Sequence, residues 1–294
     1  MCITIKDGKL FSSNCEINAV YHCNLSCRSC SHLSPLVEKY VMEVDRLRDD
    51  LTLLQRVYHA EYANLLGGEP LLHPELPYLI ETVRETGIAD KIKIVTNGIL
   101  LPRMPEILWE LTDIIVISLY SPAFLPEKTL DILKDRAVKY NVELEVRYFD
   151  YFREAFALEG PRDETLIKRI YNTCQIAHIW CCHNIDRGYF YKCPQAIFLP
   201  KWFKREGSGA FEPDRVKISD TADFFDRLCD YLQSSEPLET CRYCLGSAGK
   251  RFQHQQAQAG NLYHYGAAED ALDWEQLELL EKDPDTFEMT FRTT

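Results

Sequence analysis

The sequence lacks a long hydrophobic segment, an N-terminal secretion signal and an excess of positive charge. None of its apolar runs approaches the roughly 20 residues that a membrane-spanning helix needs. The first eight residues contain no apolar core with a cleavage site, so we expect a soluble, cytoplasmic protein with no membrane partner. The 33 Lys and Arg are outnumbered by 45 Asp and Glu, which gives a net charge of −12. This balance argues against nucleic acid as the main partner, because phosphate binding depends on clustered cations.

Cysteine, in contrast, is abundant, and its spacing indicates metal binding. The chain has 12 cysteines in 294 residues, and in a cytoplasmic protein of this size ligation or catalysis is more common than a disulfide framework. Three of them directly follow a strand-like run at 17–22: Cys23, Cys27 and Cys30. Three thiolates on a four-iron cluster leave one iron open to a small molecule, whereas electron-transfer clusters are usually closed by four. The alternative is a zinc site, with His22 or His32 as the fourth ligand.

A glycine-rich loop is the second motif. A predicted strand at 62–66 is followed at once by Gly67, Gly68, Glu69 and Pro70. The two glycines permit close backbone approach, and Pro70 stiffens the exit from the loop. The Glu69 carboxylate has the right chemistry to accept hydrogen bonds from an ammonium group. This loop is therefore predicted to bind a ligand.

The two motifs together, C-x3-C-x2-C after a first strand and G-G-E-P after a second, resemble those of the radical S-adenosylmethionine (SAM) enzymes. The resemblance implies a 4Fe-4S cluster that reductively cleaves SAM to a 5′-deoxyadenosyl radical, which takes hydrogen from a substrate. A flavodoxin- or ferredoxin-type reductant is implied as partner, and the G-G-E-P loop would hold the SAM amino group. Asn97 and Ser118 would contact the SAM ribose or carboxylate, and Arg147 would pair with the carboxylate. Ser29 departs from the family, where an aromatic residue often precedes the third cysteine.

The hydrophobic pattern up to about residue 150 alternates between strands and helices. Strands are predicted at 62–66, 92–96, 114–119 and 142–147, and helices at 43–58, 75–86, 103–111 and 127–140. The predicted class is α/β, a partial (β/α)6 TIM-like barrel with a small C-terminal α+β module. The expected boundaries are 1–160 for the barrel, 161–255 for the module and 256–294 for an acidic helical tail.

A second group of cysteines lies in the predicted module. A β-hairpin is expected around the turn at 186–188, and the sequence around it supplies four candidate ligands: Cys174, Cys193, Cys241 and Cys244. The arrangement resembles the SPASM module, or its shorter twitch form, and implies a second 4Fe-4S cluster that is fully ligated. Cys181 is an alternative to Cys174, because it lies roughly opposite Cys193 on the hairpin. Structural zinc is the other alternative.

The resemblance also narrows the substrate and the reaction. The short twitch-like module resembles that of aminocyclitol dehydrogenases, and a first core strand near residue 16 leaves no room before it for a leader-peptide-binding domain. We therefore expect dehydrogenation of a small polyhydroxylated substrate, a sugar, aminocyclitol or nucleoside. Three alternatives stay open: epimerisation of a sugar with Cys181 or Cys182 donating the hydrogen atom, modification of a ribosomal peptide, and a non-catalytic iron-sulfur or zinc scaffold.

Overall fold

A mostly parallel sheet organises the chain. The computed structural model describes residues 3–121, 124–159, 163–206, 214–257, 262–263, 266–285 and 292–293. Within them the sheet has ten strands: β1 Ile3–Lys6, β2 Lys9–Val20, β3 Tyr58–Gly67, β4 Ala89–Thr96, β5 Ile114–Leu119, β6 Glu143–Tyr148, β8 Asn184–Asp186, β9 Tyr189–Tyr191, β10 Val216–Lys217 and β12 Arg292–Thr293. A separate antiparallel pair joins β7 Tyr151–Arg153 to β11 Arg251–Gln253.

The strand order is β10-β9-β8-β2-β3-β4-β5-β6-β12, with β1 antiparallel to β2. Six strands, from β8 to β6 in that order, run parallel to one another. The α/β class with a parallel, partial-barrel sheet is thus confirmed. The sixth parallel strand, β8, was not predicted as such, since only a hairpin was expected there. Because the hairpin β8–β9 extends the main sheet, no gap in the sheet separates the barrel from the predicted module.

Helices cover the sheet and bury their apolar faces against it. Their bounds are α1 Val44–Leu54, α2 Leu76–Thr86, α3 Glu106–Leu111, α4 Glu127–Tyr140, α5 Glu164–Asn172, α6 Gln175–His178, α7 Gln195–Glu206, α8 Phe224–Gln233, α9 Ala268–Ala271 and α10 Trp274–Lys282. All six residues of β5 are buried, as expected of a strand covered on both faces. The predicted bounds of β5 and α4 match the structure. Among the described residues, no helix is long and apolar enough to cross a membrane.

The C-terminal helices close one side of the molecule. Leu277 and Leu280 of α10 are buried, and Leu277 packs in a cluster with Leu166 and Ile170 of α5. Arg169 of α5 forms an ion pair with Glu281 at 2.7 Å. The predicted acidic tail is therefore a packed part of the fold where it is described.

Candidate functional site

The three cysteines of the first motif surround a cavity at the carboxyl edge of the parallel sheet. This thiol cavity, of about 150 Å³, lies where the loops leaving β2, β3, β4 and β5 converge. Its lining includes Cys23, Cys27, Cys30, Leu66, Gly67, Gly68, Thr96, Asn97, Ser118, Tyr120 and Phe152. Burial raises the pKa of Cys23 and of Cys27 to about 12, with a smaller part of each shift coming from the neighbouring Cys30. The three sulfur atoms are thus close enough to influence one another.

The chemistry of the thiol cavity fits a cluster with a polar ligand beside it. Two buried polar atoms that face it, His32 Nε2 and Ser34 Oγ, have no hydrogen-bond partner, and such atoms normally indicate a missing polar group. Within the described ranges, no group of three or more His, Cys, Asp or Glu side chains has the geometry to hold a metal ion in the structure as it stands. Ligation would also require the thiols to lose their protons.

The glycine pair is required by the approach of β2. At Gly67, where φ is +133°, a Cβ atom would overlap the carbonyl oxygen of Val20, and at Gly68 it would overlap that of His22. The Gly68 amide donates to Val20 O at 2.8 Å, and the Glu69 amide donates to His22 O at 3.0 Å. The two glycines therefore allow the loop after β3 to pack against the start of the cysteine loop. Residues of both loops line the thiol cavity.

Glu69 lies behind this loop rather than in the cavity. Its side chain is fully buried and accepts three hydrogen bonds, from the Leu71 amide at 3.1 Å, Thr96 Oγ1 at 2.5 Å and the Asn97 amide at 2.9 Å. Burial raises the pKa of Glu69 to about 7, although these hydrogen bonds oppose the shift. Pro70 begins a short 3₁₀ helix and is also buried. The carboxylate joins the loop after β3 to the end of β4, and its role as an ammonium ligand stays a prediction.

Two of the three other predicted SAM contacts line the thiol cavity. Asn97 and Ser118 both line the thiol cavity, and Asn97 Nδ2 lies 2.7 Å from Asn24 Oδ1 and 3.8 Å from Cys23 Sγ. Arg147 does not line it, and its guanidinium Nε donates to Glu145 on β6 at 2.9 Å. The structure thus brings two of the three to the thiol cavity, and the roles of all three toward SAM stay predictions.

Two residues in the cavity region were not singled out from the sequence. Gln256, which the sequence places in a polar connector, accepts from the Ser26 amide at 2.7 Å and donates to Cys27 Sγ at 3.2 Å. Tyr120, directly after β5, stacks on His254 with ring centroids 4.9 Å apart. Tyr120 could have been found from the sequence, because it directly follows a predicted strand. Gln256 could not, because its contact with Cys27 joins residues that are 229 positions apart.

The second cysteine group also comes together. Burial raises the pKa values of Cys174, Cys193 and Cys241, and a smaller part of each shift comes from the neighbouring Cys244. A Cβ atom on Gly246 would lie 3.5 Å from Cys174 Sγ, so the backbone passes directly over that thiol. Cys174, rather than the alternative Cys181, therefore joins the other three.

Cys181 and Cys182, the candidate hydrogen donors, lie between α6 and β8. Cys181 is buried with φ at +48°, and its sulfur is in a disulfide. Cys182 donates its S–H to Glu16. Neither lines the thiol cavity or the cavity next to it. A role for either in catalysis stays a prediction, and in the disulfide form Cys181 has no S–H to give.

A second cavity adjoins the first. This polar cavity, of about 240 Å³, shares Ser31 and Phe152 with the thiol cavity and is also lined by Ser29, Phe149, Tyr151, Arg153, Glu154, Ala155, Gln175, Ile176, Trp180, Gln195, Gly246, Ser247 and Gln276. Gln175 and Gly246 connect it to Cys174, by sequence and by contact. The polar cavity therefore lies between the two groups of thiols.

Comparison with known proteins agrees with this geometry. Residues 17–157 match the model of the radical SAM superfamily. These residues form a radical SAM domain. Such a domain implies a 4Fe-4S cluster and SAM as cofactors, in keeping with the three thiols, the adjoining glycine loop and the unpartnered polar atoms of the cavity.

Curated relatives match over a short part of the chain. GTP 3′,8-cyclase of Microcystis aeruginosa is 31% identical over 100 residues, which is 32% of this chain and 30% of that protein. The enzyme of the same name from Chlorobaculum tepidum is 33% identical over 88 residues, 30% of this chain and 26% of that protein. The chain thus spans less than a third of the length of these relatives.

Solved structures with a similar fold include BtrN in complex with AdoMet and 2-DOIA. It is 16% identical, with a TM-score of 0.45, and the match covers 79% of this chain and 92% of that one. The structure of anSMEcpe with bound AdoMet is 21% identical, with a TM-score of 0.36, over 46% of this chain and 42% of that one.

Proposed function

We propose that the protein is a radical SAM oxidoreductase that dehydrogenates a small polyhydroxylated molecule, a sugar, an aminocyclitol or a nucleoside. The observation that carries the proposal is the position of the polar cavity, which adjoins the thiol cavity through Ser31 and Phe152 and is lined by Gln175 and Gly246, next to Cys174. A substrate in the polar cavity would be next to SAM and next to an electron acceptor.

Different residues of the thiol cavity would hold the cluster and orient SAM. Cys23, Cys27 and Cys30 would hold the cluster, and Asn97 and Ser118 would orient SAM through their side-chain polar groups. When bound, the cluster and SAM supply a carbon-centred radical strong enough to break an unreactive C–H bond. Tyr120 and Phe152 offer aromatic faces for the adenine ring, a role that Ser29 cannot fill. A flavodoxin- or ferredoxin-type protein would provide the reducing electron.

The lining of the polar cavity favours an uncharged or amine-bearing substrate. Its cationic liner, Arg153, is already engaged, by the carbonyl oxygen of Gly249 at 3.0 Å and by Asp273 at 3.6 Å. Glu154 is 6% exposed and is held by Arg28 and by Ser29 Oγ at 2.7 Å, so its remaining lone pairs point to a hydroxyl or an ammonium. A triphosphate such as that of GTP finds no unpaired cation among the described liners of this cavity.

The second group of thiols would hold the group that receives the electron. Loss of a hydrogen atom from a carbinol carbon leaves a radical that must lose one further electron and one proton to become a carbonyl. Four thiolates closing a cluster suit electron transfer. Cys174, Cys193, Cys241 and Cys244 would therefore hold a second 4Fe-4S cluster that accepts this electron.

Anaerobic reconstitution tests the proposal through two sets of variants. Replacing Cys23, Cys27 and Cys30 together with Ala should abolish 5′-deoxyadenosine formation and remove about half of the bound iron. Cys241→Ala with Cys244→Ala should remove the other half and leave SAM cleavage in place. Cys229→Ala, at a free thiol on α8, is the control and should change neither quantity. Retained SAM cleavage in the triple variant would contradict the central assignment.

A substrate panel tests the second half of the proposal. Neutral sugars, aminocyclitols and nucleosides should raise 5′-deoxyadenosine formation above the rate without substrate, and GTP should not. Stimulation by GTP alone would instead favour the reaction named for the curated relatives. Stimulation by a peptide alone would favour peptide modification.

A further inference from the structure

We infer that the chain has a binding site for a phosphate-bearing small molecule in a groove separate from both cavities described above. The groove has a volume of about 440 Å³, within the range of small-molecule sites. Five of its eight lining residues are cationic: Lys39, Arg187, Lys201, Lys204 and Arg205. We call it the basic groove. The inference does not depend on the proposed function.

The concentration of positive charge is unusual for this protein. The whole chain carries −12, whereas the five cations of the basic groove face two carboxylates, Glu38 in its lining and the buried Asp186 beneath it. The groove therefore keeps a net charge of three positive. Like charges brought together repel one another, so such a cluster on an acidic protein is stabilised by binding an anion.

The fold holds the central guanidinium in a fixed place. Arg187 and Gly188 both have positive φ, +45° and +84°, in the two-residue turn between β8 and β9. A two-residue hairpin turn of this type requires positive φ at both positions, so the turn fixes the backbone of Arg187. Helix α1 clamps the turn, since Arg46 Nη2 donates to the Arg187 carbonyl at 2.8 Å and Asp50 accepts from the Gly188 amide at 2.7 Å.

The five cations differ in whether they already contact a carboxylate or another hydrogen-bond acceptor of the protein. Arg187 and Lys201 lie 3.4 and 3.1 Å from the Asp186 carboxylate, and Arg205 donates to the carbonyl of Leu36. Lys39 and Lys204 are exposed and make no hydrogen bond or ion pair within the described residues. The basic groove thus combines a fixed fork of donors with two unpaired ammonium groups. That combination is the usual recognition chemistry for phosphate.

The location is also one where ligands bind. Strand β8 runs parallel to β2, so the turn carrying Arg187 lies at the same carboxyl edge of the sheet as Tyr21, which follows β2. Tyr21 and Tyr40 line the groove with their rings 4.7 Å apart, and the guanidinium of Arg187 lies 5.1 Å from the Tyr40 ring. The aromatic floor and the concave shape favour a small organic phosphate over the flat face of an acidic protein.

Calorimetric titration of the reconstituted protein with inorganic pyrophosphate tests the inference. The wild type should bind one pyrophosphate per chain. Lys39→Gln with Lys204→Gln should weaken binding by about tenfold or more, since each lost charge-assisted hydrogen bond is worth about that factor. Arg187→Asn, which keeps a residue suited to positive φ, should do the same. The matched control, Lys91→Gln with Lys128→Gln, removes two exposed cations elsewhere and should bind as the wild type does.

Three outcomes would overturn the inference. In the first, the wild type does not bind pyrophosphate. In the second, the control double variant loses as much affinity as the groove variants, which would indicate general charge attraction. In the third, an acidic electron-carrier protein binds to the wild type but not to the Lys39 and Lys204 variant, and pyrophosphate does not compete. The basic groove would then be a protein-docking surface.

Discussion

At Glu69 a single buried carboxylate joins two of the loops that form the thiol cavity. Glu69→Ala should lower the free energy of unfolding by about 3 kcal/mol, because it leaves the Thr96 hydroxyl and the Leu71 and Asn97 amides without their acceptor. SAM affinity should fall with it, since Asn97 and the glycine loop lose their common support. Chemical denaturation and equilibrium binding of SAM to the reconstituted protein measure the two effects.

Glu69→Gln separates support from direct binding. The Gln side chain keeps one acceptor oxygen for the Leu71 amide and the Thr96 hydroxyl, but its NH2 group cannot accept from the Asn97 amide. A structural Glu69 therefore predicts a smaller loss of stability than in Glu69→Ala, with SAM affinity falling only in proportion to that loss. If Glu69→Gln folds with wild-type stability but binds SAM tenfold more weakly, the carboxylate itself holds the ammonium group.

The residues of the thiol cavity show what a sequence can predict at this scale. Cys23, Cys27, Cys30 and the glycine pair are recognisable because their chemistry depends on local spacing, and the structure brings all of them to one cavity. Gln256 was not recognisable, since a lone Gln in a polar connector has no local signal. Its contact with Cys27 exists only because the chain returns to the cysteine loop after β11.

At the scale of elements, the approach of β2 to the loop after β3 depends on Gly68. A Cβ atom there would overlap backbone rather than a side chain that can move, so Gly68→Ala should lower the melting temperature strongly and abolish SAM cleavage. The control is Gly87→Ala at the end of α2. Gly87, unlike Gly68, has positive φ, +64°, and it has open space around its Cβ position, so its replacement should cost only about 1 kcal/mol. A loss in Gly68→Ala no larger than that in Gly87→Ala would show that the close approach of the His22 carbonyl does not set the cost.

The pairing of β2 with β8 contains a titratable contact. Glu16 accepts from Asn184 Nδ2 at 2.8 Å across this pair, and burial raises its pKa from 4.5 to about 7. The folded state therefore keeps the Glu16 proton to higher pH than the unfolded state does. Stability from this group is full below pH 4.5 and decreases as the pH rises to about 7, by about 3 kcal/mol.

Glu16→Gln tests that pH dependence. The variant cannot ionise at this position, so its free energy of unfolding should decrease less than that of the wild type between pH 4.5 and 7. Urea denaturation at several pH values gives the comparison. Parallel pH profiles for the two proteins would mean that Glu16 does not titrate in this range.

The bounds of helices and strands were predictable from the sequence where the hydrophobic pattern extends over enough residues. Strand β5 and helix α4 match their predicted ranges because a six-residue apolar run and a 14-residue amphipathic pattern are strong signals. Strands of three residues, such as β7, β8 and β11, are too short to show a period. The attachment of β8 to β2 therefore became visible only in the structure.

For the whole molecule, segments distant in sequence meet at the carboxyl edge of the sheet. The pairing of β7 with β11, the bridge between Cys27 and Gln256, and the bridge between Phe156 and Cys244 connect the cysteine loop, the end of the barrel and the second group of thiols. The polar cavity lies among these connections. The thiols of Cys174 and its neighbours would lie near a substrate radical formed there. Whether these thiols hold an electron acceptor therefore decides whether the radical is oxidised or quenched.

Turnover in deuterated water decides between the two fates. If the four thiols hold an electron acceptor, the radical loses an electron and a proton, and the product lacks two hydrogen atoms relative to the substrate. If a thiol S–H quenches the radical, the product keeps the substrate's formula and gains one non-exchangeable deuterium. We expect the first result, because the S–H of Cys182 is directed to Glu16 and does not line the polar cavity. Mass spectrometry of the product distinguishes them, and deuterium incorporation lost in Cys182→Ala would establish an epimerase instead.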